Sequence, residues 1–429
     1  NAVGSLPRPP LRLPENCDYR LTNKRCSLLG RLRDVCYMGK TLFSKDTPFR
    51  TECRQQARGL RRKLFLLYFE GRAKQAAADI QPHLQPLFET YDQVTFYSYW
   101  LYVACRAMLL AGEALTEQYP DKPVSFYARA HGYDLYEDVN GLDYLPYRKW
   151  FLHRLDGIFP CSAHGVRYFL QRHAGSEQER AAARVWLARL GTAEPAVLAA
   201  GLTPDEKQEL AAYKGEEDVC EIVSCAWIRP VKRMDLLIDA LKGLREKTTV
   251  RWRWTHFGDA EKADDFEAVR RRAEAELDFM EVRLEGVRSK AYIMAYYLQE
   301  RPSLFVNCSS SEGVPVSVME ALSAGIPVYA TDVGGTAEVT GREGTGRLWP
   351  PDVTAAQMSE DLYAFARLPE PVRAGLRENA VLRWKELASA GVNYPQFAAI
   401  LSGQMPARDV PVANVPDLRM IADGGVTHE

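Results

Sequence analysis

From residue 218 onward, short apolar runs alternate with longer segments whose apolar residues recur every three or four positions. The runs at 218–228, 249–259, 280–286, 303–309 and 326–331 read as strands, and 234–246, 266–277, 291–300 and 315–324 read as helices. Strands alternating with helices of about ten residues predict βαβ units and a parallel sheet. The first half repeats the pattern less cleanly, with strands at 93–100, 123–132 and 157–162, a helix at 145–155, and 183–192 closing the series. A polar stretch at 201–218 reads as the linker. The expectation is two α/β domains of similar size, 1–205 and 206–404, followed by a tail at 405–429 punctuated by Pro, Asp and Gly. Residues 1–75 do not fit the alternation and are expected to be irregular or helical.

Composition narrows the function classes. Across 429 residues the formal net charge is −1, so no nucleic-acid partner is expected. The nine cysteines are odd in number and form no C-x-x-C pair, which argues against a disulfide framework or a thiolate zinc site and for a reducing, cytoplasmic setting. The most apolar window, 100–115, is too short to span a bilayer and carries Arg106 and Glu113. The stretch from Arg54 to Lys74 mixes basic residues with Leu64, Phe65, Leu66, Leu67, Tyr68 and Phe69. It reads either as a helix lying on an anionic membrane surface or as a helix packed on the first domain with a solvated basic side.

Chemistry concentrates at 309–335. Glu312 and Glu320 bracket a loop and the start of an apolar helix that Gly325 ends. Pro315 stands near the first turn, where its missing N–H is not needed. This helix start comes after a predicted parallel strand, the position at which doubly wound sheets bind ligands. The free amides of the turn formed by Gly313, Val314, Pro315, Val316 and Ser317 suit a phosphate. Glu312 would repel that phosphate directly, so it is expected to face sugar hydroxyls, and Glu320 a ribose diol. The plainer alternative is a helix-start carboxylate at Glu312 and a solvated one at Glu320.

The segment 312–338, EGVPVSVMEALSAGIPVYATDVGGTAE, resembles the signature of the retaining glycosyltransferases of family four. IVSCAWIRPVKRMDLLIDAL (222–241), FGD (257–259) and LEGVRSKAYIMAYY (284–297) match the same family pattern. The resemblance implies the α/β GT-B fold, two Rossmann-like domains with parallel sheets facing across a cleft, and a nucleotide-diphosphate sugar as co-substrate. It implies that Glu312 contacts the donor sugar, Glu320 the ribose and Lys232 the diphosphate. The family's usual Gly-Arg pair is Ala226-Trp227 here, so Arg229 or Arg233 would have to supply the second phosphate contact. In ARAHGYDLYE (128–137), His131 resembles the family's cleft histidine, and with Glu312 and Lys232 it completes the expected catalytic set. Arg129 and Asp134 are weaker acceptor candidates, Asp134 being equally a turn cap, and Ser162 reads as a helix N-cap.

The resemblance also implies transfer with retention, the departing phosphate taking the acceptor proton. With no Asp-x-Asp, neither a metal nor another cofactor is expected. A glycan or lipid-linked acceptor in bacterial surface polysaccharide synthesis would place the protein at the inner face of a membrane. The segment 8–17 resembles the stretch just after the family's first βαβ unit, so that unit is expected to precede this chain. Competing readings are an epimerase or phosphorylase on the same architecture, and an inactive nucleotide-sugar-binding protein. A nicotinamide dehydrogenase is disfavoured because no G-x-G-x-x-G comes after a predicted strand.

Overall fold

The computed structural model describes residues 28–213, 218–247, 249–341 and 344–406. The segment 8–17 and nearly all of the tail at 405–429 lie outside the described residues. Two compact units emerge. One comprises 28–160, 165–186 and 400–406, the other 161–164 and 187–399.

The first unit is built on three parallel strands, β1 (Val94–Ser98), β2 (Val124–Ala130) and β3 (Gly157–Pro160), in the order β1-β2-β3. Phe96 and Phe126 stack across β1 and β2 with ring centroids 5.1 Å apart. Residues 28–90 form three helices, Leu28–Leu42, Thr47–Gln55 and Gly59–Thr90. The last of these packs on the helix Val103–Gln118, where the fully buried Arg106 bonds both oxygens of Glu70 at 3.0 Å and Asp46 at 2.7 Å. A buried guanidinium is tolerated when its donors are matched in this way.

The second unit is a six-stranded parallel sheet of β4 (Val219–Cys225), β5 (Arg251–Phe257), β6 (Glu281–Leu284), β7 (Leu304–Asn307), β8 (Val328–Thr331) and β9 (Gly346–Trp349). Its order, β6-β5-β4-β7-β8-β9, is that of a doubly wound nucleotide-binding sheet. The strands at its centre are buried along most of their length, which is why they read as near-continuous apolar runs.

Three expectations are corrected. The polar stretch at 201–218 contains a helix, Pro204–Ala211, started by a capping box between Thr203 and Glu206. The residues at 183–192, expected to close the series, form no helix or strand, only isolated bridges from Val185 to Ile158 and from Thr192 to Ser389. The segment 187–205 groups with the second unit: Thr192 accepts from Trp384 Nε1 at 2.8 Å, and its amide bonds Ala388 O at 2.8 Å. The strand β9 was not expected from the sequence: Arg347 interrupts its apolar run, and its pairing with β8 is what identifies it.

Candidate active site

In the second unit the strand order reverses between β4 and β7, and two loops leave the carboxyl ends of these strands side by side. Such a switch point is a crevice for ligands. The loops are laced together. Ser310 N bonds Val231 O at 2.8 Å, and Cys308 Sγ lies 3.4 Å from Lys232 O. Arg233, in the left-handed conformation at φ 49°, turns the chain from the short Pro230–Lys232 turn into the helix Met234–Lys242. Its guanidinium donates to the carbonyls of Cys308, Ser309 and Pro351. Arg233 is thus engaged in holding the loops, while Arg229 pairs with Glu261 at the surface, both side chains more than half exposed.

This lacing brings Lys232 and Glu312 together. Lys232 Nζ lies 2.5 Å from Glu312 Oε1, and Asn307 Nδ2 lies 3.3 Å from the same oxygen. Gly313, Val314 and Pro315 come next and lead into the helix Val316–Ser323, whose start has no side-chain cap. The amides of Val316 and Ser317 stand in its first turn. Two glycines press the loop into place. Gly334 has φ +56°, and a Cβ there would stand 1.8 Å from Glu312 O; at Gly335 it would stand 2.6 Å from Gly313 O. Only residues without a side chain allow that approach.

Glu320, one turn further along, is 6% exposed and pairs with Lys290 at the start of the helix Lys290–Glu300. Lys290 and Asn307 were not singled out by sequence reasoning. A carboxylate inside an apolar helix face was the available signal, since a buried charge calls for a cation. The half-buried Cys225 thiol at the end of β4 is pushed up to about 12, by burial first and then by Glu320, with Lys290 and Lys232 acting in the opposite sense. Both ion pairs therefore lie within electrostatic reach of the same strand end.

In the first unit, His131 stands just after β2. Its ring lies 4.6 Å from that of Tyr99 and 4.5 Å from that of Trp100, centroid to centroid, and Nε2 is 3.0 Å from Tyr99 O. Burial pushes its pKa down to about 4, so the imidazole is neutral at pH 7. Donating from Nε2 to that carbonyl leaves the lone pair on Nδ1.

Arg129 and Asp134, expected as acceptor contacts, are 2% and 0% exposed. Asp134 is a structural pin: its two oxygens accept from Leu101 N and His131 N, each at 2.6 Å, joining the segments after β1 and β2. The stretch from Arg54 to Lys74 spans the end of one helix and the start of the next. Leu66 and Phe69 pack inward, whereas Leu60, Leu64 and Tyr68, spaced four apart, are 73%, 52% and 41% exposed. Exposed Arg61 and Lys63 flank them. No described helix is long and apolar enough to cross a membrane.

Residues 205–383 match the family model described as glycosyl transferases group 1. Among solved structures, the chain is similar to a glycosyltransferase from Rickettsia africae ESF-5 (15% identity, 78% of this chain and 81% of that one, TM-score 0.57). It is also similar to Anabaena Alr3699/HepE, solved with UDP and glucose (17% identity, 77% and 82%, TM-score 0.56). Sucrose-phosphate synthase from Thermosynechococcus elongatus is a third (17% identity, 78% of each chain, TM-score 0.58). A search of curated proteins returns no match. At these identities the likeness establishes the fold, which is GT-B: α/β, with two units each carrying a parallel sheet.

Proposed function

We propose that this chain is a retaining glycosyltransferase that moves a sugar from a nucleotide-diphosphate sugar to a glycan or lipid-linked acceptor. The observation that carries the reading is the Lys232–Glu312 pair at the switch point, beside an uncapped helix start. The diphosphate would lie against the amides of Gly313, Val314, Val316 and Ser317, with Lys232 turning from Glu312 to its oxygens. Glu312 would then accept from sugar hydroxyls, and Glu320, steadied by Lys290, from the ribose diol. As the bond from the anomeric carbon to phosphate breaks, Lys232 and the helix amides stabilise the departing charge. The acceptor oxygen bonds the same face of that carbon, and its proton passes to the departing phosphate oxygen. The neutral His131, walled by Tyr99 and Trp100, offers hydrogen bonding and ring faces to a sugar.

UDP-sugars are the first donors to try, because the Anabaena relative was solved with UDP and glucose. The test is a panel of UDP-, GDP-, TDP- and ADP-sugars with released nucleotide as the readout. Release from one donor, abolished in Glu312→Gln and Lys232→Ala, supports the reading. If one nucleotide raises the melting temperature but no sugar is released even with acceptor extracts, the protein is a binding protein. If no nucleotide binds, the reading is wrong.

A role in bacterial surface polysaccharide synthesis fits the exposed Leu60, Leu64 and Tyr68 stripe with its basic flanks, which suits shallow insertion into an anionic membrane. Co-sedimentation with vesicles containing phosphatidylglycerol, lost in Leu60→Glu/Leu64→Glu, tests this contact. Binding unchanged in that double variant would remove it.

A further inference from the structure

The first unit contains a cavity of about 330 Å³, lying among the helix Thr47–Gln55, the approach to the helix Arg148–Arg154 and the end of the helix Ala163–His173. That volume is at the small end of ligand sites. Arg148 lines it and is 2% exposed. Its Nη1 donates to Pro146 O at 3.1 Å, but Nε and Nη2 are buried with no hydrogen-bond partner among the described residues. Among the same residues the buried Nε2 of His173 also lacks one. Burial, with Arg148 and Arg172 adding to it, pushes His173 down to about 3, so it is neutral at pH 7.

The acids nearby are already engaged. Glu52 Oε1 accepts from Tyr144 OH at 2.8 Å and Tyr147 N at 3.0 Å. Glu137 accepts from Leu145 N at 3.0 Å and Arg172 Nε at 2.8 Å. Around the cavity, five Arg and Lys side chains stand against three carboxylates, a surplus of two positive charges. A buried guanidinium with two unmatched donors is costly to leave so. Burial disfavours the charged Arg148, Asp134 and Glu137 act in the opposite sense through space, and neither carboxylate bonds the guanidinium among the described residues.

We propose that this cavity is an anion subsite for a phosphate group, with Arg148 at its floor and Lys149 and Arg172 at its edge. A guanidinium fork matches two phosphate oxygens, and the surplus charge matches a dianion. The group can come from a soluble phosphate ester or from a lipid headgroup. Arg58 and Arg62 of the cavity lie in the same stretch as the exposed Leu60 and Leu64, which keeps the second source in view. The inference does not depend on glycosyl transfer.

The experiment is thermal melting and calorimetry of the full chain with inorganic phosphate against chloride at equal ionic strength. Saturable binding of phosphate and a raised melting temperature are expected in the wild type. Arg148→Met should weaken the binding about tenfold or more, the loss of a charge-assisted contact. If near-UV circular dichroism shows that Arg148→Met does not fold, Lys149→Gln takes its place and should weaken binding severalfold. Glucose 1-phosphate and vesicles with or without phosphatidic acid, both phosphomonoesters, then identify the source, the one whose binding falls with the same substitution. Phosphate that does no more than chloride, or binding indifferent to both substitutions, overturns the proposal and leaves a water-filled cavity. Nucleotide binding, read on the same samples, reports on the second unit separately.

Discussion

Replacing Lys232 by Met separates two jobs that this side chain is proposed to hold. The first is structural. At 2.5 Å, and with an effective dielectric constant of about 20, the attraction to Glu312 is roughly 7 kcal/mol before desolvation. Desolvation offsets most of that. The side chains are 23% and 11% exposed, between the surface pairs, worth up to about 1 kcal/mol, and the buried ones, whose rupture costs about 3–5. The expected loss is therefore about 1–3 kcal/mol, a fall in melting temperature of roughly 3–10 °C for a unit of this size. Glu312→Gln in the same chain removes the stranded carboxylate and should recover most of the loss. The second job is binding. Losing a charge-assisted contact to a diphosphate costs about 1.5–3 kcal/mol, or roughly 10- to 150-fold in affinity. The second substitution cannot restore that. Calorimetry of the nucleoside diphosphate with all four members of the cycle distinguishes the cases. The reasoning fails if Lys232→Met binds within about twofold of wild type, or if the double variant recovers affinity along with stability.

Lys290→Met should destabilise the second unit by about 1–3 kcal/mol, because it strands the 6%-exposed Glu320, and adding Glu320→Gln should relieve this; thermal melts of both decide. Gly334→Ala places a methyl 1.8 Å from Glu312 O at a left-handed φ, so it should lower the melting temperature and weaken nucleotide binding more than tenfold by displacing Glu312. Equal nucleotide affinity in that variant would show that the loop tolerates the shift. His256 is buried, with Nδ1 2.8 Å from Ser224 Oγ, and burial pushes its pKa down to about 4. Since the unfolded chain takes up the proton first, stability contributed by neutral His256 is whole above about pH 6.5. It is lost by roughly 3 kcal/mol as pH falls toward 4. Urea titrations across that range should show a shallower acid-side decline in His256→Gln than in wild type, and parallel curves would contradict the assignment.

The alternation of strand and helix from residue 218 onward was legible in the chain, because parallel strands buried on both faces leave unbroken apolar runs. The helix after Glu312 was legible too, marked by Pro315 at its start and Gly325 at its end. Residues 28–90 were not, since long helices packed through buried ion pairs such as Arg106–Glu70 carry charge at core positions and blur the apolar period. The short segments that join the helices and strands also hid their allegiance: residues 187–205 read as the end of the first domain, and packing such as Thr192 against Trp384 assigns them to the second unit.

At the site, residue type and place around a predicted strand end and helix start made Glu312 and Glu320 candidates, and the family resemblance added Lys232. Their meeting was decided by tertiary structure. Lys232 and Glu312 are eighty residues apart, and they touch because the sheet reverses its order between β4 and β7 and because Arg233, Gly334 and Gly335 hold two loops in register. Asp134 shows the converse. Its sequence context allowed a ligand contact or a turn cap, and burial at 0% exposure between two backbone amides decided for the structural pin. Local pattern determines which elements form, because periodicity and capping act within a few residues. Which charges become partners depends on strand order and close backbone approach, which no short stretch of chain contains.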